Sequence, residues 1–325
     1  MTFKILVITP VKHIRNIEKD LNLLGEVTYL ADPTLDEVKS IISNFDAIFT
    51  NPNKSKVFLG KEILDNASRL KVICTASTGT NHIDKLYAQK LGLTVISITE
   101  ERDIINKISA TAELSFGLTL ASLRHIVKSH ISVLNGDWDY EKFIGRQMNF
   151  LTIGIIGFGR LGSMYANFCK AFGSRIIVYD PFKIIDDEKI AQVKNLTDIF
   201  KNSDVIALHV HVTNQTIGMI NKSSFDQMKK NVVLINTSRG DIVNEKDLVN
   251  FLVANSEARV ATDVLADEIL SREKSPLLIF SKKSEQVIIT PHIGGMCSES
   301  QEIAYEHAVK LLSNFLANLH EKKVN

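Results

Sequence analysis

The sequence predicts an α/β protein made of two doubly wound parallel sheets. Short apolar runs alternate with helical patterns twice along the 325 residues, and a glycine-rich turn follows only the first strand of the second series. Parallel strands joined by helices bury both faces of their sheet, so such strands are apolar throughout and regularly spaced between helices. We therefore expect one sheet from each series.

The first series begins near the amino terminus and has five predicted strands. They are residues 4–9, 27–30, 46–50, 70–76 and 93–98. A helix is predicted to begin after Thr34, because Thr34 and Glu37 have the spacing of a capping box. No glycine-rich loop follows the first strand, so we expect this half to bind something other than a nucleotide.

A long helix pattern covers residues 105–132, between the two series. It is apolar on much of its surface and contains several small residues, which predicts one buried helix that bridges two domains. Residues 135–138 (NGDW) are expected to end it. We expect Trp138 to serve packing rather than function.

The second series has six predicted strands. They are residues 152–156, 175–180, 205–210, 232–236, 258–264 and 286–290. One connecting helix is expected near residues 244–253, and a final helix near 298–319. The apolar residues of the final helix predict that it belongs to a domain core.

The glycine-rich turn predicts a dinucleotide site. Gly157, Gly159 and Gly162 have the G-x-G-x-x-G spacing, between a predicted strand and a predicted helix. These glycines permit a sharp turn, close approach of the backbone to a pyrophosphate and tight packing of the helix on its strand. Asp180 ends the next strand, where a carboxylate accepts hydrogen bonds from the adenosine ribose and repels a 2′-phosphate. This favours NAD over NADP, unless Asp180 merely ends a strand before a turn.

Three further residues follow predicted strands of the second series. Arg239, Glu268 and His292 are a cation, a carboxylate and an imidazole at the edge where open α/β sheets bind ligands. Each alone has an ordinary explanation as a turn or surface residue. Together they suit hydride transfer to a carbonyl, in which arginine stabilises the developing negative charge and histidine supplies a proton. A carboxylate beside an imidazole holds its tautomer and orientation.

With these residues in view, the sequence resembles the D-isomer-specific 2-hydroxyacid dehydrogenase family and is phosphoglycerate dehydrogenase-like. The matching stretches are residues 111–113 (TAE), 136–138 (GDW), 154–162 (GIIGFGRLG), 236–243 (NTSRGDIV), 263–268 (DVLADE) and 290–295 (TPHIGG). The resemblance implies a flavodoxin-like substrate domain of residues 1–102 with 297–325, and a Rossmann NAD-binding domain of residues 103–296. It also implies that the substrate lies in a cleft between the two domains.

The resemblance further implies a role for each site residue. Arg239 would bind the substrate and its carbonyl, Glu268 would pair with His292, and His292 would act as acid or base. The implied NAD contacts are Gly157, Phe158, Gly159, Arg160, Leu161, Gly162, Asp180, His209, Thr213, Thr237, Ser238, Asp263 and Gly294. The implied substrate contacts are Ser77, Thr78, Gly79, Thr80, Arg239 and His292. For residues 77–80 a plain turn capped by Thr80 or Asn81 is an equal alternative.

Two departures from the family pattern bear on these roles. Ile269 follows Glu268 where the family often has proline, which predicts a more mobile loop. His211 stands where the family usually has proline. It is either a contact to cofactor or substrate, or a tolerated substitution.

Composition limits the remaining classes of function. A net charge of +1 gives no electrostatic case for nucleic acid or an anionic membrane. Three scattered cysteines, no signal-peptide pattern and no metal-ligand spacing predict a cytoplasmic protein without a metal. We expect an enzyme acting on a D-2-hydroxy acid or 2-oxo acid, with 3-phosphoglycerate among the candidates, and a homodimer. The alternative is an NAD(H)-sensing, corepressor-like binding protein without significant turnover.

Overall fold

The computed structural model of the chain describes residues 2–52, 57–269 and 271–324. The strands are β1 (Phe3–Val7), β2 (Gly25–Tyr29), β3 (Ala47–Thr50), β4 (Val72–Thr75), β5 (Thr94–Ser97), β6 (Thr152–Ile156), β7 (Arg175–Tyr179), β8 (Ile190–Gln192), β9 (Val205–Leu208), β10 (Val233–Asn236), β11 (Arg259–Thr262) and β12 (Val287–Ile289). The α-helices are α1 (Ile17–Asn22), α2 (Leu35–Ile41), α3 (Lys61–Leu64), α4 (Lys85–Lys90), α5 (Arg102–Ile105), α6 (Ala110–Leu123), α7 (Ile126–Leu134), α8 (Arg160–Ala171), α9 (Leu196–Asn202), α10 (Lys222–Phe225), α11 (Glu245–Ala254), α12 (Pro276–Ser281) and α13 (Ser298–Val324). The chain divides into two compact units, Met1–Ile108 with Met296–Asn325, and Ser109–Gly295.

The first unit is a five-stranded parallel sheet in the order β2-β1-β3-β4-β5. This is the flavodoxin-like doubly wound order, which confirms the predicted fold class of this unit. Alternation along β1 explains the two covered faces. Ile5 and Val7 face one apolar layer, whereas Leu6 and Ile8 face the other.

Both helix predictions for the first unit are confirmed. Thr34 caps α2 through a capping box, in which its hydroxyl accepts the Glu37 N–H and the Glu37 carboxylate accepts the Thr34 N–H at 2.7 Å. The final helix α13 packs on the sheet and buries Tyr305, Ala308 and Leu312. The carboxyl-terminal helix is therefore part of this unit's core, as the apolar pattern predicts.

The second unit is a seven-stranded parallel sheet in the order β12-β11-β10-β9-β6-β7-β8. Strand β6 lies between β9 and β7, so the direction of winding reverses next to β6, as in the Rossmann order. The fold class is again confirmed, with one strand that the sequence analysis missed. Strand β8 has three residues, of which only Ile190 is buried, so its apolar signal is too short to detect.

The prediction of one long helix over residues 105–132 is wrong. The structure has α5, α6 and α7 in this region, and His125 between α6 and α7 adopts a left-handed conformation with φ of 53°. Helix α6 ends at Leu123, whose carbonyl accepts the N–H of Arg146 from a distant part of the chain. The prediction that Trp138 serves packing is also wrong within this chain, since Trp138 is 86% exposed.

Three chemical features concern the described part of the chain. No helix there is both long and apolar enough to cross a membrane. In the same ranges, no three His, Cys, Asp or Glu side chains converge as a metal site requires. Cys74 and Cys169 are buried thiols, and Cys297 is an exposed thiol.

Candidate active site

The sequence-predicted residues of the second unit lie at the carboxyl ends of neighbouring strands. Strands β6, β9, β10, β11 and β12 are consecutive in the sheet. The glycine turn follows β6, His209 follows β9, Arg239 follows β10, Glu268 follows β11 and His292 follows β12. In open α/β sheets this edge, beside the reversal of strand order, is where ligands bind.

The glycine turn has the geometry that a pyrophosphate requires. Gly157 has φ of 91°, and a Cβ there would lie 2.4 Å from the His209 carbonyl oxygen. A Cβ on Gly162 would lie 2.1 Å from the Gly157 carbonyl oxygen, so α8 packs directly against the turn. A Cβ on Gly159 would meet no atom within 4 Å. Gly159 therefore leaves open space at the amino end of α8, where backbone N–H groups attract an anion.

The clearances at Gly159 and Gly162 predict different effects of alanine. Gly162→Ala is expected to destabilise the protein by about 1–3 kcal/mol, as overpacking does, because its neighbour is backbone that cannot move aside. Gly159→Ala is expected to leave stability unchanged and to raise the Kd for NADH about tenfold or more, the effect of losing one charge-assisted hydrogen bond. Thermal unfolding and NADH fluorescence titration measure the two effects. Unchanged NADH affinity in Gly159→Ala would show that the phosphates lie elsewhere.

Asp180 is positioned beside the glycine turn by hydrogen bonds. Its Oδ2 accepts the Phe158 N–H at 2.7 Å, and its Oδ1 accepts the Phe182 N–H at 2.9 Å. The carboxylate thus braces the turn. No signal in the sequence indicates this bracing. The bonds hold a negative charge next to the turn, as a preference for NAD requires.

The segment after β9 carries His209, an implied cofactor contact, with its ring buried. Both ring nitrogens of His209 are shielded and have no partner among the described residues, and the ring packs 5.1 Å from that of Tyr165. Burial lowers the pKa of His209 to about 4, so the ring is neutral at ordinary pH. A cofactor contact by His209 would therefore use its backbone. His211 is exposed, and its carbonyl accepts the Thr216 hydroxyl at 2.6 Å, while Thr216 also accepts the Thr213 N–H at 2.8 Å.

The two hydroxyl residues after β10 are occupied by contacts within the unit. Thr237 is buried, and its hydroxyl lies 2.5 Å from that of Ser115 on α6. The Ser238 hydroxyl donates to the Leu208 carbonyl at 2.6 Å. The first bond ties the end of β10 to α6 and the second ties it to the end of β9, so together they fix the backbone from which Arg239 extends.

His292 and Glu268 form a close pair. His292 Nδ1 lies 2.5 Å from Glu268 Oε1, and the two side chains are 22% and 21% exposed. Burial alone would raise the pKa of Glu268, but the hydrogen bond from His292, the His292 charge, the Leu265 N–H and the Arg239 charge outweigh it and lower that pKa. Glu268 is therefore ionised at neutral pH and can only accept. Nδ1 of His292 must carry the shared proton, which leaves Nε2 for a ligand.

The His292 turn is built by Asp263. The Asp263 carbonyl accepts the His292 N–H at 3.0 Å, and its carboxylate accepts the N–H groups of Ile293 and Gly294, each at 2.8 Å. His292 has φ of 55°, an uncommon conformation for a residue with a side chain, which these bonds maintain. Burial raises the pKa of Asp263 despite the hydrogen bonds from Thr290, Ile293 and Gly294. The family resemblance implies Asp263 only as a cofactor contact, and no sequence signal indicates this second role.

Arg239 completes the predicted set. Its guanidinium lies within electrostatic reach of Glu268 and Asp241, whose charges raise its pKa while burial, the larger effect, lowers it. Its Nη1 donates to the Ser238 carbonyl at 2.6 Å. An arginine has five donors, so this contact leaves most of the guanidinium for another ligand. The structure thus brings together the three residues that the sequence singles out.

The predicted substrate loop, residues 77–80, belongs to the first unit. The Ser77 hydroxyl donates to the Gly79 carbonyl at 2.5 Å, and the Thr78 carbonyl accepts the Thr99 hydroxyl at 2.8 Å. Among the described residues, no protein acceptor receives the N–H of Gly79 or Thr80. The alternative of a turn capped by Thr80 or Asn81 is wrong, because the cap of α4 is Asp84, which accepts the Tyr87 N–H at 2.9 Å.

Comparison with known proteins gives the family. Residues 116–294 match the model of the D-isomer specific 2-hydroxyacid dehydrogenase, NAD binding domain, so the second unit contains that NAD-binding domain. The D-3-phosphoglycerate dehydrogenase of Methanocaldococcus jannaschii is 32% identical over 304 residues, which are 93% of this chain and 55% of that protein. The hydroxypyruvate reductase of Thermotoga maritima is 33% identical over 266 residues, 82% of this chain and 83% of that protein.

A solved structure extends the similarity to the whole fold. The crystal structure of D-lactate dehydrogenase from Aquifex aeolicus, complexed with NAD and lactic acid, is 30% identical, has a TM-score of 0.81, and is matched over 99% of this chain and 98% of that one. The chain spans about half the length of the Methanocaldococcus protein. The motifs, the two strand orders and these matches agree, and the chain belongs to the D-isomer-specific 2-hydroxyacid dehydrogenase family.

Proposed function

We propose that this chain is an NAD-dependent oxidoreductase that interconverts a D-2-hydroxy acid and its 2-oxo acid. The observation that carries the proposal is the His292–Glu268 pair, at 2.5 Å, with the charge of Arg239 acting on the same carboxylate. A binding protein without turnover needs none of these three groups. Their retention beside a dinucleotide turn supports the enzyme over the NAD(H)-sensing alternative.

Each of the three residues has a defined part in the proposed reaction. NAD, when bound, supplies the hydride acceptor or donor for substrate C2. In reduction, His292 Nε2 gives its proton to the former carbonyl oxygen, and in oxidation it takes the hydroxyl proton back. Glu268 holds the imidazole through Nδ1 and stabilises its positive charge. Arg239 stabilises the negative charge that develops on the oxygen and pairs with the substrate carboxylate.

We propose small 2-oxo acids as the substrates, with hydroxypyruvate and the 3-phosphoglycerate couple as the first candidates. Support comes from the relatives in Thermotoga maritima and Methanocaldococcus jannaschii, a hydroxypyruvate reductase and a D-3-phosphoglycerate dehydrogenase. The N–H groups of Gly79 and Thr80, available in the loop of the first unit, suit a substrate carboxylate. Ser77 and Thr78 shape that loop.

A substrate panel tests the proposed function. Purified protein is mixed with NADH and, separately, glyoxylate, pyruvate, hydroxypyruvate and 3-phosphohydroxypyruvate, and NADH absorbance is followed. We expect NADH oxidation with at least one compound and formation of the D product. NADH binding without oxidation on any 2-oxo acid of a wider panel would instead support the NAD(H)-sensing alternative.

We also propose that the chain forms a homodimer through its second unit. None of the nine residues of α7 is fully buried, although most of them are apolar. Exposed large apolar side chains lie on this helix and continue past it. They include Ile126, Ile131, Leu134, Trp138, Tyr140, Ile144 and Phe150. An apolar surface of this extent is typical of a protein interface. A second copy of the same chain would cover it in a closed, symmetric pair.

Leu134→Asp is expected to convert the dimer to a monomer, because the carboxylate would be desolvated in the interface. Light scattering after gel filtration measures the change, with circular dichroism to verify folding. Leu23→Asp is the matched control, since Leu23 is 76% exposed in the first unit and Leu134 is 72% exposed. A wild-type protein that is monomeric at micromolar concentration would contradict the proposed dimer.

A further inference from the structure

Glu245 is a buried carboxylate to which the proposed mechanism assigns no part. It is the first residue of α11 and is only 7% exposed. A carboxylate at this depth is costly unless hydrogen bonds satisfy its oxygens. Its position in the chain, after the Arg239 turn and before β11, places it beside the loops that carry the site.

The Glu245 carboxylate binds both ends of the loop that carries Glu268. Its Oε1 accepts the Ala266 N–H at 2.9 Å. Its Oε2 accepts the Ser275 hydroxyl at 2.5 Å and, more weakly, the Leu277 N–H at 3.4 Å. One side chain therefore joins the segment just before Glu268 to the start of α12.

The same segment is held from the other side by Gly240. A Cβ on Gly240 would lie 2.0 Å from the Leu265 carbonyl carbon and 2.2 Å from the Ala266 nitrogen. The Leu265–Ala266 peptide thus lies directly on the backbone of the Arg239 turn. Glu245 supplies the hydrogen bond that keeps it there.

The adjacent Val264–Leu265 peptide in turn orients Glu268. The Leu265 N–H donates to Glu268 Oε2 at 3.2 Å, while Glu268 Oε1 faces His292 Nδ1. Asp267 has φ of 50°, so the backbone immediately before Glu268 is strained. Ile269 follows Glu268 and lacks the fixed φ that a proline would provide. Restraint of the loop must therefore come from its contacts, and Glu245 makes two of them, to Ala266 and Ser275.

We propose that Glu245 is a positioning residue, whose buried carboxylate holds the Leu265–Ala266 peptide where Glu268 can reach His292. The inference rests on the proposed acid–base role of that pair. It assigns to Glu245 no contact with substrate or cofactor. Its effect on the reaction is transmitted through Glu268.

Glu245→Gln tests the proposal, because an amide has one acceptor oxygen whereas the carboxylate uses two. The single oxygen cannot accept both the Ala266 N–H and the Leu277 N–H, which bind different oxygens of Glu245. We expect kcat to fall by roughly 10- to 100-fold, the scale of a small misplacement of a catalytic group, with the KM for NADH unchanged. The second readout is the NMR signal of the His292 Nδ1 proton, recorded on ¹⁵N-histidine-labelled protein without substrate. The signal is assigned by its absence from the spectrum of His292→Gln. We expect this hydrogen-bonded signal in the wild type and its loss or upfield movement in Glu245→Gln.

Asp204→Asn is the matched control for loss of a buried carboxylate. Asp204 is 9% exposed, accepts the Thr152 N–H at 2.9 Å and pairs with Arg146, but it lies at the amino end of β9, away from the site. It is expected to lower stability while leaving kcat and the Nδ1 signal near wild type. If Glu245→Gln does not fold, Glu245→Asp keeps the charge with a side chain too short to bridge the loop, and the same loss of signal is expected.

The two readouts separate this inference from the proposed function. If none of the tested 2-oxo acids supports NADH oxidation by the wild type, the proposed function fails. The Nδ1 signal still decides the position of Glu268 in that case. A Glu245 variant that folds and keeps both kcat and the signal overturns the inference. Equal losses of kcat in the Glu245 and Asp204 variants, with the signal retained in both, overturn it as well, since the effect would then be on general stability.

Discussion

His292→Gln is expected to lower kcat for reduction of the 2-oxo acid by about 10²-fold or more, the usual scale of general acid–base catalysis. Glutamine keeps approximate size and polarity but cannot transfer a proton. The Kd for NADH should be unchanged, because the groups proposed to hold the pyrophosphate and ribose are at the glycine turn and Asp180. Steady-state rates with the active member of the substrate panel, together with NADH fluorescence titration, measure both quantities.

Two variants make the result specific. His320→Gln replaces an exposed histidine of α13 and should leave kcat near wild type. Glu268→Gln should lower kcat less than His292→Gln, since it removes the orienting charge but leaves the proton donor. Near-normal turnover in His292→Gln would remove His292 from the proposed mechanism. An equal loss in the His320 variant would point to general damage instead.

The sheets and the dinucleotide turn were predictable because their signals are local. Continuous apolar runs identify strands buried on both faces, and each predicted strand is present with its ends within two residues of the prediction. The spacing of Gly157, Gly159 and Gly162 reflects direct contacts of neighbouring backbone, so a short sequence contains the whole constraint. Arg239, Glu268 and His292 could be grouped because parallel strands place their carboxyl ends at one edge.

The features that escaped prediction depend on distant partners. Helix α6 ends where Arg146 reaches the Leu123 carbonyl, a contact that helical periodicity cannot reveal. Asp263 appears in the sequence as a polar residue at a strand end. Its carboxylate accepts the N–H of Ile293, 30 residues further along the chain, and so builds the His292 turn. Glu245 looks like an ordinary first-turn helix carboxylate, and only its burial distinguishes it. In each case the tertiary contact, rather than the local pattern, determines the role.

Arg239→Gln is expected to lower kcat/KM for the 2-oxo acid by about 10²- to 10³-fold, the cost of removing one donor to a developing oxyanion. The loss should appear in both kcat and KM if Arg239 binds the substrate carboxylate as well as stabilising charge in the transition state. NADH affinity should persist. Arg175→Gln, an exposed arginine at the start of β7, is the control and should leave all three quantities near wild type.

Arg239→Lys then separates the two proposed tasks of the guanidinium. Lysine keeps the positive charge but cannot form the planar, bidentate pair that arginine makes with a carboxylate. If charge stabilisation dominates, Arg239→Lys should recover much of the kcat lost in Arg239→Gln while its KM stays high. If kcat does not recover, geometry matters more than charge. Wild-type kcat/KM in Arg239→Gln would contradict both tasks, because the neighbouring His292–Glu268 pair alone would then account for the chemistry.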